Sequence, residues 1–223
     1  MWWMRFNSLK EAEASVGGLS APSKMPSYAW SISAKRCNVG SKLAKIEGSV
    51  CNKCYALKGM YQFPQTQKAL ENRYSKWSND RDRWTNAMIY IMHNKKHIKD
   101  TGHFRWFDSG DIQGMTMLSD INAVAWSSPN IRFWLPTKEY KLVREYTKDN
   151  DIAPNLIIRV SNPNVNSNTL KKADHSHIST VYSKDMLSES EGYICPASKQ
   201  GNQCKDCRAC WSDKVSEVSY IAH

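Results

Sequence analysis

The sequence predicts an α/β protein organised around a parallel sheet. Short runs rich in β-branched and aromatic residues alternate with longer stretches whose apolar residues recur at helical spacing. Turn-forming Pro, Gly, Asn and Asp separate these runs. No internal repeat, low-complexity stretch or long linker interrupts the 223 residues, so residues 1–223 read as a single domain. Residues 28–183 form its core, and 184–223 form a cysteine-rich C-terminal segment. Alternating strands and helices argue for βαβ units. Five or six units fall short of an eight-unit barrel, so a partial barrel and an open doubly wound sheet both fit. In either, residues just after the strands build the site.

Loop chemistry begins the chain, with Gly17, Gly18, Pro22 and Pro26. Tyr28 to Ser33 alternates bulky and small residues and reads as a first strand. A lysine-rich loop then carries the first cysteines. Gln65 to His97 reads as helical, because Ala69, Tyr74, Trp77, Trp84, Met88, Ile91 and Met92 recur near helical spacing. Ser78-Asn79-Asp80 divides this stretch in two, with Asn79 or Asp80 as the second helix's cap. His103 to Asp108 is a strand running into Asp108-Ser109-Gly110-Asp111, and Met115 to Trp126 is a helix. Asn130 to Leu135 is a strand closed by Pro136-Thr137, and Lys138 to Lys148 is helical. Pro154 breaks the chain before a fourth strand, Leu156 to Val160. Asn168 to Ala173 reads as a helical turn, Ile178 to Tyr182 as a fifth strand and Val215 to Ile221 as a last one.

The apolar fraction of 41% is enough for a core without disulfides. No apolar run approaches the ~18 residues of a spanning helix. The opening Met1-Trp2-Trp3-Met4-Arg5-Phe6 is too short for an export signal and is followed at once by polar residues. A cytoplasmic, reducing setting is therefore expected, where clustered cysteines bind metal more often than they pair. The net charge of +10 fits a lysine-rich solvated surface or contact with nucleic acid. No arginine-rich run or nucleic-acid motif favours the second.

The cysteines carry the chemistry. Cys37, Cys51 and Cys54 read C-x13-C-x2-C; Cys195, Cys204, Cys207 and Cys210 read C-P-x7-C-x2-C-x2-C. Two-residue gaps let thiolates on a tight turn converge on one metal centre. The late four suit tetrahedral zinc or a [4Fe-4S] cluster. Their successive two-residue spacing with a separate Cys-Pro is closer to ferredoxin ligation, though the order is reversed. The early three could hold a cluster with one iron left open. Other readings are a redox pair at Cys51 and Cys54 with Cys37 buried, or one cluster shared by both groups.

Asp108 and Asp111 lie at a strand end as candidate catalytic acid and base, with Asp111 also a candidate helix cap. Lys138 follows a strand end and could meet an anion. His93 and His97 have i, i+4 spacing but lack the glutamate of a zinc-protease motif. His175 and His177 sit in a polar loop. Trp211, after Cys210, could shield a cluster from water.

The strand, the cysteine loop ending Cys51-Asn52-Lys53-Cys54-Tyr55-Ala56, the helix, and the strand ending in a Gly/acidic turn resemble the radical S-adenosylmethionine superfamily. More narrowly, the chain resembles small phage proteins known by gene-product number. It shares with them Cys54-Tyr55-Ala56, Ser109-Gly110-Asp111, Trp134-Leu135-Pro136-Thr137 and a tail from Cys195-Pro196 to Cys210-Trp211. The resemblance implies a partial (β/α)6 barrel with at least one [4Fe-4S] cluster. It implies S-adenosylmethionine as a cofactor, held by Ser109, Gly110 and Asp111, with Arg159 and Ser161 toward its carboxylate or ribose. The superfamily spacing C-x3-C-x2-C is absent, and the aromatic Tyr55 follows the last cysteine instead of preceding it. The expectation is therefore an iron–sulfur protein of an infected host's cytoplasm, with reductive or radical chemistry on a small molecule. The alternatives are a non-catalytic electron carrier, sensor or accessory factor served by an electron donor, and a zinc-stapled nucleic-acid-binding module.

Overall fold

A computed structural model describes residues 6–172 and 175–222. Met1 to Arg5 and Ala173, the end of the expected helical turn, lie outside these residues. Seven strands form one sheet in which every pairing is parallel: β1 (Ala29–Trp30), β2 (His103–Trp106), β3 (Arg132–Thr137), β4 (Leu156–Ser161), β5 (Ile178–Tyr182), β6 (Tyr193–Ile194) and β7 (Glu217–Ile221). Their order is β1-β2-β3-β4-β5-β7-β6. Seven helices accompany them among the described residues: α1 (Leu9–Ser15), α2 (Asn38–Leu43), α3 (Pro64–Asn79), α4 (Arg81–Asn94), α5 (Lys96–Thr101), α6 (Met115–Trp126) and α7 (Tyr140–Asp149).

Strand register sorts the side chains into two faces, because neighbours on a strand point opposite ways. Phe104, Phe133 and Leu156 share one row. With Trp106, Leu135, Ile158 and Val160 they meet Trp84, Met88, Leu118, Ile121, Val143 and Tyr146 of α4, α6 and α7 in the main core. Arg105, Trp134 and Ile157 share a row of the opposite face, which also carries Arg159 and Val218. Among the described residues, no α-helix covers that face. A second cluster does, built from Trp134, Ala209, Cys210, Trp211 and Val218. The Trp211 indole donates to the Phe104 carbonyl at 2.8 Å and meets the Trp134 ring edge-on at 5.1 Å. Helices on one face only are incompatible with double winding, so the expected parallel α/β sheet is found in its one-sided form.

The C-terminal segment also links the sheet's two edges. Cys195 follows β6 and its N–H reaches the Ser219 carbonyl, while the Cys204 N–H reaches the Lys24 carbonyl just ahead of β1. Strands β1 and β6 themselves are not paired.

The split at Ser78-Asn79-Asp80 is found, with Asp80 capping α4 through the Arg83 N–H at 3.0 Å. The expected first strand shrinks to two residues because the Ile32 N–H turns to the Ser109 carbonyl and Ser33 caps a 3-10 turn. Four helices and strands were not anticipated, the first being α5, which follows Lys95 as a helix separate from α4. Ser8 caps α1, which packs on α4 through Ala12 and Val16; α2 sits inside the cysteine loop; β6 is a two-residue edge strand. His93 and His97 fall on different helices, either side of Lys95. His93 Nε2 lies 2.8 Å from the Ser127 carbonyl and the His97 ring packs against Tyr28. No helix among the described residues is long and apolar enough to cross a membrane.

Candidate metal centres

The early cysteines lie on the loop between β1 and α3, at the C-terminal end of the sheet. An antiparallel bridge between Ser49 and Asn164, and a 2.8 Å bond from the Val50 N–H to the Pro163 carbonyl, pin this loop beside the end of β4. Gly40 of α2 lies between two thiols: a Cβ there would press on Cys37 Cβ at 3.1 Å and touch Cys37 Sγ and Cys51 Sγ in ordinary contact at 3.6 Å. Burial pushes the Cys37 thiol far up, and Asp111, Cys54, Cys51 and Glu139 add to it. Burial also raises Cys51, with Lys138 opposing and Cys54 and Asp111 adding. The three thiols are thus one electrostatic group.

Asp111 holds the ends of β2 and β3 together. Its Oδ1 accepts from the Ile112 N–H at 2.8 Å and the Thr137 hydroxyl at 2.6 Å, and its Oδ2 from the Lys138 N–H at 2.8 Å. Burial raises its pKa to about 6; the three donors pull it down and Glu139 pushes it up. It does not cap α6, whose N-cap is Gly114. Burial lowers the Lys138 ammonium, while Cys51, Asp111, Cys54 and Cys37 all pull it back up. Its Nζ donates to the Asn162 carbonyl at 3.0 Å.

Asp108 is occupied differently. Ser31 donates to its Oδ1, the Tyr61 hydroxyl to its Oδ2 at 3.3 Å, and the Tyr55 hydroxyl to its carbonyl. Gly110 has φ +83°, and a Cβ there would collide with Ile32 at 2.5 Å from Cγ1 and 2.7 Å from the carbonyl oxygen. Only glycine fits that close approach. The Ser109 hydroxyl is buried and has no protein partner. Ser161 lies at the end of β4 and accepts from the Ser179 hydroxyl at 3.0 Å.

The late cysteines cover the helix-free face. Burial raises Cys195, Cys204 and Cys210, the last to about 12. Cys207 adds to Cys195, both of these to Cys204, and Cys195 and Cys204 to Cys210. Cys210 Sγ lies 3.1 Å from the Tyr220 hydroxyl, and Cys207 Sγ lies 3.6 Å from that of Tyr193. The thiols that influence each other belong to the same set throughout, so the early three and the late four form two thiol groups. Among the described residues, no three His, Cys, Asp or Glu side chains stand close enough to hold a single metal ion.

Two arginines of the helix-free face divide the labour. Arg159 is fully buried and its guanidinium donates to five main-chain carbonyls, those of Ile178, Ala209, Ser212, Val215 and Ser216, at 3.0–3.4 Å. It ties the cysteine segment to the sheet, a place quite unlike the cofactor contact that the resemblance implied. Arg105, which the sequence analysis did not single out, lies over the Trp134 ring at 4.4 Å. Its Nη1 reaches the Met25 sulfur at 3.0 Å, and its buried Nε has no partner. Burial weakens its charge, and Tyr55 and Asp108 on the early side and Tyr220 and Cys210 on the late side more than restore it. A signal for it was available: a charged residue alternating with Phe104 and Trp106 on a strand must face away from their core.

A family model described as gene product 88 matches residues 4–213. No curated protein and no solved structure matches the chain.

Proposed function

From the premise that the chain belongs to the gene product 88 family, we propose that it is a phage iron–sulfur protein with a curved, radical-enzyme-like partial barrel. The late four cysteines hold a closed [4Fe-4S] cluster, and Cys37, Cys51 and Cys54 hold an open one. One observation carries this reading. All seven thiols gather into two groups, each beside a half-buried cation that forms no ion pair among the described residues: Lys138 for the early group, Arg105 for the late. A half-buried cation that makes no direct ion pair is poorly compensated. Asp111 acts on Lys138 and Asp108 on Arg105 only without direct contact, neutral thiols add no charge, and a thiolate-bound cluster would bring negative charge directly beside both.

The residues fit such a group. The Cys37 and Cys51 thiols converge on Gly40, each 3.6 Å from where its Cβ would stand, and four-thiolate ligation matches the late set. A three-thiolate cluster would supply one iron open to a ligand from a bound molecule. Around it, Lys138 would face an anionic group and the buried Ser109 hydroxyl would be free to donate. Helices on one face support a barrel-like winding over a doubly wound one.

A non-catalytic electron carrier is the second reading. It is favoured by the state of the two carboxylates: Asp111 already accepts from three protein donors and Asp108 from Ser31 and Tyr61. Neither is left to grip the amino group of S-adenosylmethionine.

Oxygen-free purification with iron, sulfide and zinc analysis tests the proposal. Brown protein is expected, with Cys37→Ala and Cys204→Ala each removing the iron of one cluster only. Colourless protein holding zinc or no metal overturns it. Reduced protein given S-adenosylmethionine then separates the two readings, since 5′-deoxyadenosine forms only in the first.

A further inference from the structure

The early cysteine loop has a surface that cluster ligation does not require. Residues 34–63 contain six basic side chains (Lys35, Arg36, Lys42, Lys45, Lys53 and Lys58) against one acidic, Glu47. That excess of five is half of the chain's net +10. Arg36 is spent inside the fold, paired with Glu71 at 2.6 Å and stacked over Tyr74. The five lysines are all exposed.

Large apolar groups are exposed among them. Tyr55 is 54% exposed, Met60 74% and Phe63 59%, with Leu57 between them in sequence and Ile46 exposed next to Lys45. The Tyr55 and Tyr61 rings lie 5.7 Å apart. Two short 3-10 turns, Tyr55–Leu57 and Gly59–Gln62, carry this group directly after Cys54 and lead into α3 at Pro64. Protein-binding surfaces are depleted in lysine. Lysines interleaved with exposed aromatic rings are instead the pattern that tracks a phosphate backbone while bases stack.

We propose that this loop binds single-stranded nucleic acid, with Lys42, Lys45, Lys53 and Lys58 meeting phosphates and Phe63 offering a ring to a base. The bases would then lie over the rim beside Tyr55 and the early cysteines. The inference stands apart from the cluster reading, because it rests on charge and exposed rings alone.

The test is fluorescence anisotropy with labelled 15-nucleotide poly(U) and poly(dT), using the full-length protein both as purified without oxygen and after metal removal. At least one strand should bind, with log K falling against log salt at a slope of about −3, as expected for four phosphate contacts on a single strand. Lys45→Glu with Lys53→Glu and Lys58→Glu should abolish binding. Phe63→Ala should weaken it about tenfold, in keeping with the loss of one stacked base; circular dichroism checks that both variants stay folded. Failure of both strands to bind overturns the proposal. So does competition by polyglutamate as effective as by unlabelled strand, which would mark an acidic protein as the occupant. Undiminished binding by Phe63→Ala likewise leaves mere charge attraction and overturns it. Colourless protein that still binds as described would sink the cluster reading and leave this one standing.

Discussion

Replacing Arg159 by methionine should cut the C-terminal segment loose while sparing the helical side of the sheet. The guanidinium reaches five carbonyls through Nη1 and Nη2. Two amino groups carry four N–H protons, so at least one proton is shared and four bonds is the fair count. Hydrogen bonds to a charged group contribute about 1.5–3 kcal/mol each; the bonds at 3.3–3.4 Å belong at the low end. Methionine restores most of the side-chain volume, so the cavity contribution is small. A loss of at least ~4 kcal/mol is expected, a large share of the ~5–15 kcal/mol that holds a domain together. Lysine should rescue little, since a point ammonium cannot span carbonyls on both sides. The assay is urea unfolding followed by tryptophan fluorescence, to which Trp134 and Trp211 both report, with limited proteolysis to locate the first cleavage. Cuts should concentrate between 195 and 216. A loss under ~1 kcal/mol, or normal stability with weakened binding of a small molecule, would refute the structural role.

Gly110→Ala should cost ~2–5 kcal/mol, summing ~1–3 for overpacking against Ile32 and ~1–2 for a side chain at φ +83°; an unchanged melting temperature would count against the close approach. Asp111 gives the metal-free protein a pH dependence. Its folded value of about 6 lies above the ~3.9 of an unfolded chain, so the favourable contribution is full below pH ~4 and is lost as pH rises through 6. Stability should fall by ~1.5 kcal/mol between pH 5 and 8 from this residue, and Asp111→Asn should flatten that slope in urea titrations. An equal slope in both proteins would show that the carboxyl is not perturbed by burial.

Much of the frame was legible because periodicity reports burial. The helix Met115–Trp126 and the strand Ile178–Tyr182 have the boundaries that their patterns suggest, and the cap at Asp80 follows from residue type alone. The two-residue strands β1 and β6 were not legible. Tyr193 and Ile194 sit in a serine- and glutamate-rich stretch and owe their pairing to β7, a tertiary cause. The site divided in the same way. Cysteine spacing announced both thiol groups. It could not announce which polar residues the fold consumes internally. Arg159 on β4 looks the same in sequence whether it meets a ligand or five carbonyls, because four of its partners lie some fifty residues away at 209 to 216 and the fifth at Ile178. Asp111 likewise resembles a cap until Thr137 and Lys138 are seen to donate to it.

The helix-free face bears on why a metal would belong in the late segment at all. A parallel sheet needs cover on both faces. Here one face has α4, α6 and α7, while the other has a segment of 3-10 turns and loop whose fully buried apolar residues are Ala209, Cys210 and Trp211. Those side chains, with Arg159 and the Trp211 indole bond, anchor its end. The stretch from Cys195 to Cys207 contributes no buried side chain of its own. Ordering each of its residues costs ~1–2 kcal/mol of backbone entropy, which exposed turns cannot repay. Three of the four late thiols lie in that stretch, and the fourth is the buried Cys210. Ligation would therefore tie the least supported part of the cover to its best supported part, which is the physical role of structural metal centres in small or thin cores.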